Sequence, residues 1–166
     1  MDDKRGRAAL RLVPNVAQES VETLTFCSHC GTRPKWAEIS EAPSRVCESC
    51  GLGLLLEAAA DAAPKEGDAF MVLDGSLSVC ALSSGAEELL ATSEIDAVNR
   101  HISELLLPAD AEARANENLA VAVTWAARGD DSGRAVTVRP ANTFGVRLRA
   151  RISSCGPPQA ALVVFD

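Results

Sequence analysis

The clearest hydrophobic pattern in the chain lies between residues 145 and 153, where apolar and arginine residues alternate. Successive side chains of a β-strand point to opposite faces of the sheet, so this alternation predicts a half-buried strand. The apolar row is expected to face helices and the arginine row to face solvent. The apolar row is Val146, Leu148, Ala150 and Ile152, and the arginine row is Arg147, Arg149 and Arg151.

Two other segments, FMVL at 70–73 and ALVVF at 161–165, are apolar at every position. Runs of this length and composition predict strands that are buried on both faces. Helices of the same domain can cover only one face, and an uncovered apolar face would be a liability in a monomer. We therefore expect a second cover, from a helix predicted near 52–63, from the N-terminal arm or from a second subunit.

Turn and capping signals divide the chain after residue 67 into nine elements. Strands are predicted at 68–74 and 77–82, short helices at 83–91, 92–98 and 99–107, a longer helix from 109 to Gly129, and strands at 134–140, 144–154 and 159–166. Ser83 or Ser84 is the expected N-cap of the first helix. This order predicts an α+β fold, with one five-stranded antiparallel sheet and the helices on one of its faces.

Four of the six cysteines follow the pattern C-x2-C-x16-C-x2-C. Two cysteines separated by two residues let one turn direct both sulfurs at a point, and two such pairs supply the four thiolates of a structural zinc site. Gly31 and Gly51 follow the pairs and suit a positive φ there. The predicted ligands are Cys27, Cys30, Cys47 and Cys50. Four thiolates fill the coordination shell, so catalysis at this metal is not expected, and His29 is expected to face solvent.

The spacing of the cysteines resembles the zinc ribbon family over residues 24–53. The chain is then predicted to consist of an N-terminal arm at 1–23, the zinc ribbon at 24–53, a linking helix and loop at 54–67, and a larger domain at 68–166. The link is rich in helix formers up to Pro64. Its Leu54 and Leu55 are expected to pack on the larger domain or on a partner.

The order of elements from 68 to 166 resembles the PAS domain family. The stretch MVLDGSLSVCALSSGAEELLATSEIDAVNRHISELLLPAD carries the resemblance, with a turn at Asp74-Gly75 and with Asn99 where the family usually has glycine. The resemblance implies a sensory and interaction module without catalysis, and it places the two doubly apolar strands side by side. Many members dimerise through the outer face of this sheet, so a homodimer is expected.

The resemblance also bears on cofactors. Haem-binding members use a histidine on the long helix, but residues 111–127 contain none, and His101 lies earlier. Flavin-binding light sensors carry a reactive cysteine where this chain has Ile102. Haem and flavin are therefore not expected. A core filled by side chains is favoured over one that is open to a small-molecule ligand, and Cys80 and Cys155 are expected to be buried thiols.

The net charge of the chain is −7. Residues 57–166 carry all of it, because residues 1–56 contain seven basic and seven acidic residues. The chain thus lacks the basic footprint of nucleic-acid binders. It also lacks an apolar run of about 18 residues and the apolar segment of a secretory signal. We expect a cytoplasmic protein with reduced thiols, without contact to a membrane.

The sequence contains no nucleophile–base set and no glycine-rich phosphate loop, so an enzyme is not expected. The favoured function is a signalling or regulatory protein that binds an unidentified protein partner and has a structural zinc ribbon. The candidate partner-binding residues are Arg147, Arg149, Arg151, Leu54 and Leu55. The alternatives are a transcription-associated regulator, whose zinc ribbon contacts DNA or the transcription machinery, and a small-molecule sensor.

Overall fold

The computed structural model describes residues 21–34, 45–109 and 118–166. The predicted N-terminal arm therefore lies almost wholly outside the described residues, as do Trp36 and the beginning of the long helix. The described strands are β1 (Thr23–Cys27), β2 (Leu55–Ala59), β3 (Phe70–Leu73), β4 (Val79–Leu82), β5 (Leu106–Pro108), β6 (Arg134–Pro140), β7 (Leu148–Gly156) and β8 (Ala160–Phe165). The helices are α1 (Ser84–Leu90), α2 (Glu94–Ala97), a 3-10 turn (Ile102–Glu104) and α3 (Leu119–Ala126).

The five strands that the sequence predicts form one antiparallel sheet in the order β4-β3-β8-β7-β6. The two doubly apolar strands are neighbours, as predicted, with Phe70 opposite Val164 and Leu73 opposite Ala161. Every residue of β3 and β8 is buried. The predicted α+β class is thus confirmed, but the described sheet has eight strands and not five, because β1 and β2 join it through β7 and β5 joins it through β6.

One face of the sheet packs on the helices. Its core includes Met71, Leu73 and Val163 from the strands and Val123 from α3, all of them 0% exposed. The apolar row of β7 lies on this face, because Leu148, Ala150 and Ile152 are buried there. Val146 does not: it precedes the strand and is 37% exposed. The strand begins two residues later than the alternation suggested.

Ser83 is the N-cap of α1, and its hydroxyl has three partners. It accepts from the N–H groups of Ala86 at 3.2 Å and Phe70 at 2.8 Å, and it donates to the carbonyl of Asp68 at 3.1 Å. The side chain is buried, so each bond lost would leave a polar group without water.

We therefore expect Ser83→Ala to lower the free energy of unfolding by about 1–3 kcal/mol. Ser84→Ala is the matched control, because Ser84 is exposed and its backbone N–H is unchanged by the substitution. Urea denaturation of both variants measures the difference. Equal stability of the two variants would show that the hydroxyl of Ser83 contributes nothing.

The predicted linking helix is wrong, because residues 55–59 form β2. Burial alternates along this segment: Leu56 and Ala58 are buried and Glu57 is exposed. The strand pairs with β1 along five residues and with β7 at Glu57 and Ala58. Intrinsic helix propensity is a weak preference, and pairing with two strands overrides it. Only a turn follows, in which the N–H of Ala63 donates to the carbonyl of Ala59 at 2.8 Å.

The helix predicted at 99–107 is also replaced. A short 3-10 turn over Ile102–Glu104 leads directly into β5, which pairs with β6. Asn99 precedes the turn with φ +68°, a left-handed conformation that asparagine adopts more readily than most residues. This backbone requirement explains why asparagine stands where the family usually has glycine.

The outer face of the sheet is covered by the chain itself. Phe26, Leu56 and Ala58 of the β1–β2 hairpin form a second core with the outward residues of the central strands. Those outward residues are Phe70, Val72, Leu162 and Val164. The surface on which the expected homodimer depended is therefore occupied by the same-chain cover, and the homodimer stays a prediction. Among the described residues, no helix has the length and apolarity to cross a membrane.

Candidate metal centre and neighbouring surfaces

The four predicted ligand sulfurs meet at one point, within 4.8 Å of one another. The Sγ atoms of Cys27 and Cys50 are 3.6 Å apart, and those of Cys30 and Cys47 are 3.9 Å apart. Sulfurs placed tetrahedrally about 2.3 Å from a zinc ion are separated by about 3.8 Å. The arrangement therefore fits a metal ion that is bound by four thiolates. The sulfur–sulfur distances are far longer than the ~2.0 Å of a disulfide bond.

Two turns of the same kind hold these sulfurs. The N–H of Gly31 donates to the carbonyl of Cys27 at 3.0 Å, and the N–H of Gly51 donates to that of Cys47 at 2.8 Å. Both glycines have the positive φ that the sequence predicts, +71° and +68°. The N–H of His29 donates to the Sγ of Cys27 at 3.4 Å, so the turn also directs backbone dipoles at sulfur. The segment between the two turns lies largely outside the described residues.

The surroundings of Cys27 and Cys50 shift the pKa values of these two thiols in opposite directions. Burial raises the pKa of Cys27 to about 12. Burial also acts to raise the pKa of Cys50, but N–H groups of Gly53 and Leu52 and the thiol of Cys27 outweigh it and lower this pKa to about 6. Cys50 therefore gives up its proton more readily than Cys27, and zinc must displace the Cys27 proton in order to bind. Zinc binding therefore weakens as the pH falls.

Gly53 contributes to the centre although the motif does not include it. A Cβ at this position would lie 2.3 Å from the Sγ of Cys27 and 2.8 Å from the backbone nitrogen of His29. Real Cβ atoms do not approach other atoms this closely, so only glycine fits. The sequence offers no signal for this role beyond the two glycines, Gly51 and Gly53, that follow Cys50.

We expect Gly53→Ala to weaken zinc binding at least about tenfold, the lower end of the effect of disturbing groups that support metal ligands. Competition with a chromogenic chelator measures this affinity. Gly75→Ala is the matched control, because a Cβ there meets nothing within 4 Å. An unchanged zinc affinity in Gly53→Ala would contradict the close approach.

His29 was expected to face solvent, but its side chain is only 16% exposed. The turn that carries it lies against the larger domain, where the N–H of Ser84 donates to the carbonyl of His29 at 3.1 Å. Its Nδ1 is 3.1 Å from an oxygen of Glu94, and the other oxygen of Glu94 accepts from the N–H of Leu82 at 3.0 Å. The four-cysteine module is therefore joined to α1, α2 and β4.

The arginine row faces outward, as predicted, but its members differ. Arg151 forms an ion pair with Asp166 at 2.9 Å and a hydrogen bond with the carbonyl of Asp61 at 3.3 Å. Arg147 and Arg149 are exposed, and the side chain of Arg149 has no ion-pair partner among the described residues. The row is therefore tied to acidic and carbonyl groups of the chain at Arg151, whereas Arg147 and Arg149 carry most of its exposed surface.

The loop before β7 carries an aromatic ring in solvent. Phe144 is 91% exposed. It lies beside Arg139 and Arg147 around a groove of about 300 Å³. Sequence reasoning assigned Phe144 to a strand and missed this surface, because exposure of a single aromatic residue has no signal in the pattern.

The two candidate leucines and the two remaining cysteines differ in how far they are buried. Leu54 is 49% exposed and Leu55 is half-buried in β2, so only Leu54 offers appreciable surface. Cys155 is buried, as expected, but Cys80 is exposed. The β1–β2 cover does not extend over Cys80, which explains why this prediction was wrong. The predicted roles of these leucines and of the arginine row in binding remain predictions.

Comparison with known proteins adds two solved structures. The PAS domain of nitrogen regulation protein NR(II) from Vibrio parahaemolyticus is 18% identical, with a TM-score of 0.44, and the match covers 60% of this chain and 88% of that one. The PAS domain of an HTR-like protein from Haloarcula marismortui is 17% identical, with a TM-score of 0.46, and the match covers 60% and 84%. No protein-family model matches the chain, and no curated protein matches its sequence. The support for the predicted resemblance to PAS domains is the sheet itself, in which the two doubly apolar strands β3 and β8 are neighbours.

Proposed function

We propose that the chain is a non-enzymatic regulatory protein that binds a protein partner through the exposed surface around Phe144. Phe144, which is 91% exposed between arginines, is the observation that carries this proposal. Aromatic and arginine side chains are the residue types that dominate the binding energy of protein interfaces. We name the groove residues Arg139, Phe144 and Arg147, together with Arg149, the next exposed arginine along the row, the Phe144 surface.

The charge of the chain sets the kind of partner. Residues 57–166 sum to −7, so a strip of arginines is a local exception on an acidic domain. A positive strip selects an acidic partner surface and repels basic ones. The zinc centre acts structurally in this proposal, because it holds the β1–β2 cover over the central strands of the outer face and leaves the Phe144 surface, farther along the same face, to the partner.

Quantitative affinity capture from cells that express the chain tests this function. The double variant Phe144→Ala, Arg149→Glu is expected to retain an acidic partner at least about tenfold less than the unmodified chain, the equivalent of about 1.4 kcal/mol. Arg128→Glu is the matched charge control, because Arg128 is exposed and lies directly after the C-cap of α3, outside the Phe144 surface. The proposal fails if the double variant and the unmodified chain retain the same proteins in equal amounts.

A further inference from the structure

A cleft of about 430 Å³ lies between the four-cysteine module and the outer face of the sheet. One wall comes from the module, with Leu54 and Leu56, and the other comes from β3 and β4, with Val72 and Ala81. The volume falls in the range of small-molecule sites, which are mostly apolar with a few polar groups that orient the ligand. The cleft lies on the outer face of the sheet, near the β4 edge, where Glu94 of α2 also lines it.

The apolar wall of this cleft that comes from the module is partly accessible. Leu54 is 49% exposed although the neighbouring Leu56 is 5% exposed and belongs to the outer core. Cys80 is exposed on the other wall. The β1–β2 hairpin thus covers the centre of the outer face and leaves an apolar recess beside the zinc turns.

The polar groups of the cleft carry negative charge. Asp74 and Glu94 line it, and no lysine, arginine or histidine is among its described lining residues. One oxygen of Asp74 accepts from Ser76 at 2.7 Å and from the N–H of Ser78 at 3.0 Å. Hydrogen bonds from Ser76 lower the pKa of Asp74, so this carboxylate stays ionised at neutral pH. Glu94 is partly engaged with His29, which leaves Asp74 as the principal anion.

We propose that this cleft binds a small organic cation, an amine or quaternary ammonium attached to an apolar hydrocarbon or aromatic body. The body fits against Leu54, Val72 and Ala81, and the cationic group lies at the carboxylates. The two walls belong to the module and to the sheet, so an occupied cleft ties the zinc module to the domain. The site is separate from the Phe144 surface, and its failure would leave the proposed function standing.

Cys80 reports on this cleft. The other cysteines are the four of the metal centre and the buried Cys155, so alkylation of the zinc-loaded chain by iodoacetamide is expected at Cys80. The probe is 4-phenylbutylammonium, and its neutral counterpart is 4-phenyl-1-butanol. We expect a saturating amount of the ammonium to slow alkylation at least about fivefold, with a weaker effect of the alcohol at the same concentration.

Two variants of the full chain separate charge from shape. Asp74→Asn keeps the turn, because asparagine makes the same side-chain turn as aspartate, and it should remove the preference for the ammonium. Asp130→Asn is the control, since Asp130 pairs with Arg134 and does not line the cleft. Leu54→Arg places a cation in the cleft and should abolish protection.

Three results would overturn the proposal: no protection, equal protection by the alcohol, or full protection in Asp74→Asn. A fourth result would also overturn it: a Cys80 that does not react with iodoacetamide even without the ammonium, in a chain whose native mass shows only protein and zinc. The chain itself would then fill the cleft.

Discussion

Cys47→Ser is expected to release zinc and to unfold the β1–β2 module. Structural zinc sites contribute folding free energy directly, and modules of this size do not hold their fold without the ion. Cys47 is buried and forms part of the sulfur cluster, so no nearby group can replace it. Phe26 of the outer core directly precedes Cys27 in β1. Loss of the centre therefore frees the hairpin that covers the sheet.

Native mass spectrometry measures the zinc content, and binding of a hydrophobic dye measures exposure of the outer face. We expect one zinc per unmodified chain and less than about 0.1 per Cys47→Ser chain, from the large free energy with which such sites bind zinc. Cys80→Ser is the matched control, since the exposed Cys80 lies outside the sulfur cluster. A zinc-free variant that keeps its outer face covered would refute the structural role of the ion.

The metal centre was predictable because its chemistry is local. Two residues between cysteines, followed by a glycine, specify a turn and a pair of ligands whatever the rest of the chain does. The central sheet was predictable for a related reason: the doubly apolar runs at 70–73 and 161–165 fit only strands that are buried on both faces. In both cases the pattern and the final contacts involve the same few residues.

The sequence predicted that the outer face of the sheet would be covered, but it did not predict that a strand pair would cover it. Residues 55–59 were predicted to be helical because leucine and alanine are good helix formers. In the structure they pair with residues 23–27 of β1 on one side and with residues 155–156 of β7 on the other. Pairing at such separation leaves no trace in local propensity. The one local hint was Glu57, which alternates with the buried Leu56 and Ala58.

The close approach of Gly53 to Cys27 and the contact of His29 with Glu94 were equally invisible to the sequence. Both arise where two units of the chain meet, and each unit alone gives no reason for them. The exposed Phe144 and the cleft beside Cys80 are of the same kind. The sequence therefore predicted the four-cysteine cluster and the sheet, and it did not predict the surfaces on which the proposals depend.

The second large effect is expected from Phe26→Ala. Phe26 is fully buried in the outer core, and its ring meets that of Phe70 edge to face, with centroids 5.8 Å apart at 84°. Truncating a buried phenylalanine costs about 3–5 kcal/mol, because transfer free energy is lost and a cavity remains. The aromatic pair adds to this loss. We expect the midpoint of urea denaturation to fall by about 1–2 M.

The comparison with Phe144→Ala makes this prediction sharp. The chemical change is the same, but Phe144 is 91% exposed and its removal should alter stability by less than about 0.5 kcal/mol. The Phe26 variant should lose stability and, while folded, keep its partner, whereas a variant at Phe144 should keep stability and lose the partner. Zinc release followed during the same denaturation shows whether the hairpin leaves the sheet before the domain unfolds. Equal stability of the two variants would mean that the hairpin does not stabilise the outer face, and the role assigned to the zinc centre would then lose its basis.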